Sequence, residues 1–183
     1  MRVFEIFCEI EGVTPPVWRR MELAETLSLK GVHAALQAVM GWRGEYPACF
    51  SAAGTLWPIG DWPDPGRDAA GLTLGGLRDL AGDEFFYDYE PDDPWRVRCR
   101  FEAESRADAI RPPTCLAGGR AAPPDGVGGR EGYADFLRML GDPEADPDEV
   151  EDMLEWAGGA FDPDAFDLAA ANRRLERIGV NRL

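Results

Sequence analysis

CLAGGRAAPPDGVGGREGYADFL, residues 115–137, is the stretch on which the fold of this chain turns. It holds two tandem glycine pairs, Gly118-Gly119 and Gly128-Gly129, with Pro123-Pro124 between them. Glycine opens backbone conformations closed to other residues, and proline fixes φ near about −65°. The combination predicts an ordered loop over residues 107–130 with one required shape, of a length that is often functional. Before it, apolar residues alternate with the two-residue period of strands; after it, they recur at helical spacing. Strands first and helices last predict an α+β fold, with helices on one face or end of an antiparallel sheet.

On the N-terminal side, RVFEIFCEIE (2–11) places Phe4, Ile6, Cys8 and Ile10 on one face and Val3, Glu5, Phe7 and Glu9 on the other. That is the signature of a half-buried strand. Gly12 to Pro16 supplies a turn, and Val17–Leu23 returns as the second strand of a hairpin. On that strand Val17, Arg19, Met21 and Leu23 share a side, so either the core face carries an arginine or the register slips. A helix follows through Leu29, Val32, Leu36 and Val39, with Thr26 or Ser28 as its cap and Gly41 at its C-terminal end. His33, the only histidine, falls beside that apolar stripe and is expected to be a partly buried structural imidazole. Tyr46–Thr55 is expected to be a strand and Trp57–Gly71 a loop. A short helix through Leu74, Leu77 and Leu80 is expected before Gly82. Glu84–Tyr89 and Trp95–Phe101 are expected to form a second antiparallel pair. On the latter, Trp95, Val97, Cys99 and Phe101 point one way and Arg96, Arg98 and Arg100 the other. That arginine row is a candidate anion site, or a solvated face balanced by acids across the strands.

Beyond the loop, Tyr133–Leu140 is read as a helix ending at Gly141, and Asp146-Pro147-Asp148-Glu149 as a strong helix start. Asp167 is expected to cap a last helix through Leu168, Leu175 and Ile178. Between Asp142 and Asp167 there are eleven acids and no Lys or Arg, which suits a solvated helix surface or a basic partner. The whole is one domain over residues 1–183: sheet-rich over 1–106, loop over 107–130, helical over 131–183. The sheet, antiparallel or mixed, is built from two hairpin-like strand pairs with one central helix.

A net charge of −15 and 34 acids against 19 bases argue against broad nucleic-acid binding, which draws on phosphate neutralisation. Arg2, Glu5 and Glu9 interrupt every early apolar run, and no run approaches the roughly 18 residues of a membrane span. A soluble cytoplasmic protein is expected. Cys8, Cys49, Cys99 and Cys115 form no CxxC pair, so buried thiols are expected rather than zinc or a disulfide framework. No nucleophile elbow, phosphate loop or HExxH occurs, and Ser28, Ser51 and Ser105 sit in no catalytic motif.

Four motifs together resemble one family: Pro15-Pro16-Val17-Trp18-Arg19-Arg20, Met40-Gly41-Trp42, the Cys115–Tyr133 loop, and the tail Glu155-Trp156 … Gly158-Gly159 … Phe161-Asp162-Pro163 … Phe166-Asp167 … Asn172-Arg173-Arg174-Leu175. They are similar, in order and over nearly the whole chain, to the plasmid pRiA4b ORF-3-like family, which includes a resolvase-like passenger protein of a mycobacterial insertion element. The resemblance implies an α+β fold and a bacterial plasmid or transposon association. Where members typically carry His-Leu-His, this chain has Tyr46-Pro47-Ala48. Where they carry Asp-x-Trp-x-His, it has Asp93-Pro94-Trp95-Arg96-Val97. Where they carry Ala-Cys-Pro-Pro-Glu-Asp, it has Ala121-Ala122-Pro123-Pro124-Asp125-Gly126. Asp93, Cys115 and Asp125 are what remains of any ligating or proton-shuttling constellation. No catalytic residue, metal or cofactor is therefore assigned. The expected role is a non-catalytic interaction protein with an unidentified protein partner, the alternatives being a DNA-acting accessory or an enzyme with an unrecognised site. The candidate surface and loop residues are Trp42, Tyr46, Asp93, Trp95, Cys115, Pro123, Pro124, Asp125, Gly128 and Gly129.

Overall fold

The computed structural model describes residues 1–109 and 111–178. β1 (Arg2–Ile10) and β2 (Trp18–Ala24) form the expected hairpin, with Phe4 opposite Leu23 and Cys8 opposite Arg19. Phe4, Ile6, Cys8 and Ile10 are fully buried, as the alternation requires. α1 (Leu29–Met40) is capped by Ser28, whose side chain accepts from the Gly31 N–H, and closed by Gly41 in the left-handed region. β3 (Ala48–Ala52), β4 (Thr55–Ile59), α2 (Leu74–Ala81), β5 (Glu84–Tyr89), β6 (Trp95–Arg106) and β7 (Thr114–Gly119) follow. α3 (Gly129–Gly141), α4 (Pro147–Trp156) and α5 (Leu168–Ile178) complete the described chain. The seven strands form one sheet in the order β4-β3-β5-β6-β1-β2-β7, with every pairing antiparallel. The α+β class therefore holds, with a sheet larger than two hairpin pairs. The expected helical part beyond residue 178 lies outside the described residues.

Two strands depart from the expectation. The chain reverses at Ala53-Gly54, both with positive φ (46° and 74°), and β4 pairs back on β3 with Pro58 opposite Cys49. Trp57–Ile59 is thus strand, not loop. Proline discourages that assignment from sequence, yet an edge strand tolerates it because one side of its backbone needs no ladder partner. Residues 114–119, expected as loop, pair with β2 as β7. Their glycines are there for proximity. A Cβ on Gly118 would sit 2.5 Å from the Phe166 ring and 2.9 Å from Arg19 Cδ, and one on Gly119 would sit 2.5 Å from Trp18 Nε1.

The register of β2 does not slip, so the core carries the arginine. Arg19 is 1% exposed. Its Nε donates to the Val39 carbonyl at 2.8 Å, and its Nη1 to the carbonyls of Trp18 at 2.7 Å and Gly119 at 3.0 Å. The Phe166 ring lies 4.1 Å from its Cζ, a cation–π contact that is stronger where water is excluded. Burial lowers its pKa to about 10, still protonated at neutral pH. From α5, Arg174 Nε donates to the Ala38 carbonyl at 2.6 Å. The carbonyl end of α1, which has no basic residue of its own in its last turn, is capped by two guanidinium groups from other elements.

α5 also closes the edge of the sheet. The Asn172 side-chain amide accepts from Cys115 N–H at 2.9 Å and donates to Cys115 C=O at 2.9 Å, taking the place of a further strand. All four cysteines are free and buried. Asn172→Leu strands both Cys115 backbone groups, and an unmet buried group costs about 1–3 kcal/mol. The variant is expected to lose about 2–4 kcal/mol in urea unfolding; a loss below about 0.5 kcal/mol would show that the edge needs no amide.

Candidate functional site

The loop of residues 120–128 docks on the rim formed by the end of α1 and the β5–β6 turn. Three hydrogen bonds fasten it. Trp42, positioned by the Gly41 cap, donates from Nε1 to the Pro123 carbonyl at 2.9 Å. The Arg43 N–H donates to Asp125 Oδ2 at 2.5 Å. The Gly126 N–H donates to Glu90 Oε1 at 2.8 Å. Trp42 also stacks on Tyr89, with ring centroids 4.9 Å apart, and Tyr46 meets Tyr89 edge-on at 6.0 Å. Pro124 accepts from the Val127 N–H at 3.3 Å, closing the turn that carries Asp125. Trp95, buried on β6, packs edge-on against Tyr133 at 6.0 Å.

Gly128 is the N-cap of α3 with φ 87°, a left-handed conformation that a side chain strains. α3 begins at Gly129, four residues before the helix expected from Tyr133, because helix propensity counts against a glycine-rich first turn. A Cβ on Gly129 would meet all three carboxylate atoms of Asp93 at 2.5–2.8 Å. Gly129→Val is expected to destabilise by about 1–3 kcal/mol, the range for a forced backbone site. An unchanged thermal midpoint would contradict that.

Two buried carboxylates lie at the heart of the rim. Asp125 is 8% exposed and Glu90 6%. Burial raises both pKa values, opposed by the backbone N–H each one accepts. Asp125 lies beside Tyr89, whose pKa is raised by burial and by this carboxylate. Asp125 Oδ1, the Tyr89 hydroxyl and Trp95 Nε1 have no hydrogen-bond partner among the described residues. Glu90 is absent from the expected surface for a definite reason. The alternation of β5 buries Phe85, Tyr87 and Tyr89 and turns Glu84, Phe86 and Asp88 toward the opposite face. Glu90 would follow them, but its φ of 65° turns it back toward the loop. The sequence holds no local signal for a left-handed glutamate.

Nine of the ten candidate residues gather around this rim, but Trp42, Trp95, Pro123, Asp125 and Gly129 are buried there as packing rather than exposed as a surface, and one candidate lies elsewhere. Cys115 lies on β7, at the far edge of the sheet, with its thiol donating to the Ala117 carbonyl at 3.5 Å and its pKa raised by burial. Asp93, Cys115 and Asp125 are thus divided between two places. Among the described residues, no group of three or more His, Cys, Asp or Glu is arranged to hold a metal.

Arg96, Arg98 and Arg100 project from the opposite face of the sheet. Arg98 pairs with Glu84 at 2.6 Å, and Arg96 lies 3.8 Å from both Asp88 and Glu11. Arg96 also covers the Phe86 ring, and Arg100 the Phe7 ring. Arg20, next along this face, contacts Glu102 at 2.8 Å and Glu5 at 3.1 Å. Acids across the strands interrupt the row.

Behind the rim, a cleft of about 320 Å³ runs between α1 and α5, lined by His33, Gln37, Trp42, Arg43 and Arg174 among others. His33 Nδ1 and Gln37 Nε2 both meet the buried Tyr87 hydroxyl at 2.7 Å. Burial lowers the His33 pKa from 6.5 to about 4, so between these values the unfolded chain binds the extra proton. His33 then contributes stability that is complete above about pH 6.5 and is lost as pH falls toward 4. The unfolding free energy of the native chain minus that of His33→Gln is expected to fall by on the order of 2–3 kcal/mol between pH 7 and pH 4. Parallel pH profiles would contradict a buried neutral imidazole.

The comparisons with known proteins agree with the motifs. The sequence model of the family described as "Plasmid pRiA4b ORF-3-like protein" matches residues 2–170. A relative from Sinorhizobium fredii, "Uncharacterized protein y4hQ", is 31% identical over 166 residues, covering 89% of this chain and 82% of the relative. The crystal structure of a protein of unknown function, MM3350 from Methanosarcina mazei Go1, is similar with a TM-score of 0.78 and 35% identity, covering 92% of this chain and 96% of that one.

Proposed function

The chain belongs to the plasmid pRiA4b ORF-3-like family, and from that premise we propose that it is a non-catalytic binding protein of a plasmid- or transposon-associated system, acting on a protein partner in the cytoplasm. The observation that carries this reading is the use made of the polar groups around the loop. Asp125 and Glu90 each accept a backbone N–H that fastens the loop. His33 and Gln37 close on Tyr87, and the four thiols are buried. A general acid or base must reach a substrate proton, and a nucleophile needs an adjacent base and open access. These groups serve the fold instead. No described helix is long and apolar enough to cross a membrane.

A DNA-acting accessory would need a continuous basic face to neutralise several phosphates. The opposed carboxylates on Arg20, Arg96 and Arg98 and the net charge of −15 favour the protein-binding reading over it. Fluorescence anisotropy with labelled duplex DNA is expected to show no binding at physiological ionic strength and micromolar protein. Affinity purification of the tagged chain from its host is expected to retain a protein in defined stoichiometry. Duplex binding at physiological salt that survives changing Arg96, Arg98 and Arg100 together to Gln, with no retained protein, would overturn the proposal.

A further inference from the structure

α4 rests lightly on the rest of the molecule: none of its residues is fully buried, and Met153 is partly buried against the core. Glu149, Asp152, Met153 and Trp156 follow at the i, i+3, i+4, i+7 spacing of a single helix face. With Met139 of α3 they line a groove of about 510 Å³. Trp156 is 48% exposed, a large aromatic surface left in water at the end of an apolar strip. Methionine adapts its shape to what it meets, and tryptophan is enriched at the centres of contact surfaces.

The charge around this groove is not what the helices need for themselves. Asp146 caps α4, and Asp148 and Glu149 sit at the positive end of its dipole. Asp142, Asp162 and Asp167 accept local backbone N–H groups, and Asp164 pairs with Arg120 at 3.0 Å. Glu151, Asp152 and Glu155 have no such role. Glu151 lies at the middle of α4, and Asp152 and Glu155 in its C-terminal half, where the dipole disfavours anions and the last turn holds no base. Among the described residues, none of the three has an ion-pair partner within 4.0 Å. The acids stand against the preference of their own helix, beside an apolar strip that is half open to water.

We propose that the α3–α4 groove docks a basic amphipathic helix of a partner protein, its apolar side on Met139, Met153 and Trp156 and its Lys or Arg residues against Asp152 and Glu155. This rests on the binding-protein reading and names the surface and the partner chemistry for it. The groove face spans about 10 Å along α4, two helical turns, matching apolar anchors three or four residues apart on a docked helix. A second copy of this chain is a poor occupant. Its own acidic face would be repelled, and the basic sheet row is already opposed by its own carboxylates.

The test uses a fluorescein-labelled 18-residue peptide of Leu and Lys with all Leu on one helical face, titrated with the full chain and read by anisotropy. Its controls are a scrambled peptide of the same composition and a version with Glu for Lys. Saturable micromolar binding is expected, at least tenfold weaker for the scrambled peptide and absent for the acidic one. Trp156→Ala is expected to weaken binding at least tenfold at an unchanged melting temperature, and the triple change Glu151→Gln, Asp152→Asn, Glu155→Gln to do the same without touching the apolar strip. Equal binding of the scrambled peptide, no effect of Trp156→Ala, no saturable binding at all, or a Trp156-dependent dimer in sedimentation would each overturn the proposal. Capture from the host with the Trp156→Ala chain separates the two levels. A partner retained undiminished leaves the binding-protein reading standing and the groove wrong, whereas no partner with either chain removes both.

Discussion

The carbonyl end of α1 is the constraint from which much of this structure follows. The last carbonyls of a helix have no partner within it, and buried ones must find donors elsewhere. Gly41 and Trp42 return their N–H groups to the Gln37 carbonyl at 2.9 and 3.0 Å. Ala38 and Val39 are served by Arg174 and Arg19. Desolvating a guanidinium is expensive, and a lone buried cation would not persist. Among the described residues, no carboxylate pairs with Arg19. Three carbonyls, the negative end of the α1 dipole and the Phe166 ring face stand in for one. That arrangement ties the sheet, the central helix and the C-terminal segment together at one point. It requires Gly118 where Phe166 and Arg19 pass, and it places α5 where Asn172 can close the β7 edge.

The loop of residues 120–128 obeys the same logic one step away. Because Gly41 turns the chain, Trp42 and Arg43 are presented to the loop, and Pro123 and Asp125 accept their N–H groups. Glu90 reaches Gly126 from the other side. Each buried carboxylate answers a backbone donor, which lessens the burial penalty without removing it, and both pKa values stay raised. Tyr46 supplies an aromatic edge to Tyr89, and Ala122 is a buried apolar residue. At both places the side chain serves packing.

Much of this was legible in the sequence where one physical signal dominates. The alternation in β1, the capped periodicity of α1 and the opposed faces of β6 state their structure without help from the rest of the chain. Arg19 was legible as a dilemma, since the period put a charge on the core face. Its resolution depends on carbonyls distant in sequence that no local pattern reveals. β4 was hidden by Pro58 and β7 by its glycines, residues chosen for an edge position and for ring contacts that only the tertiary fold creates. Nine of the ten candidate residues lie together in the structure, five of them as buried packing around the loop. Cys115 was drawn in by its closeness in sequence, while Glu90 was left out because alternation assigns it to the opposite face. The order of strands explains the first, and a single left-handed residue the second.

The most direct test of this architecture is equilibrium unfolding of Arg19→Lys, compared with the native chain in urea at neutral pH. Lysine keeps the charge beside the helix dipole but loses the planar fork that serves three carbonyls, and it offers a poorer stacking partner for Phe166. If guanidinium geometry holds the three parts together, the variant loses about 2–4 kcal/mol, in the range for leaving buried acceptors unmet. Unfolding of Arg19→Lys within about 0.5 kcal/mol of the native chain would contradict this, showing that a positive charge alone suffices at the end of α1.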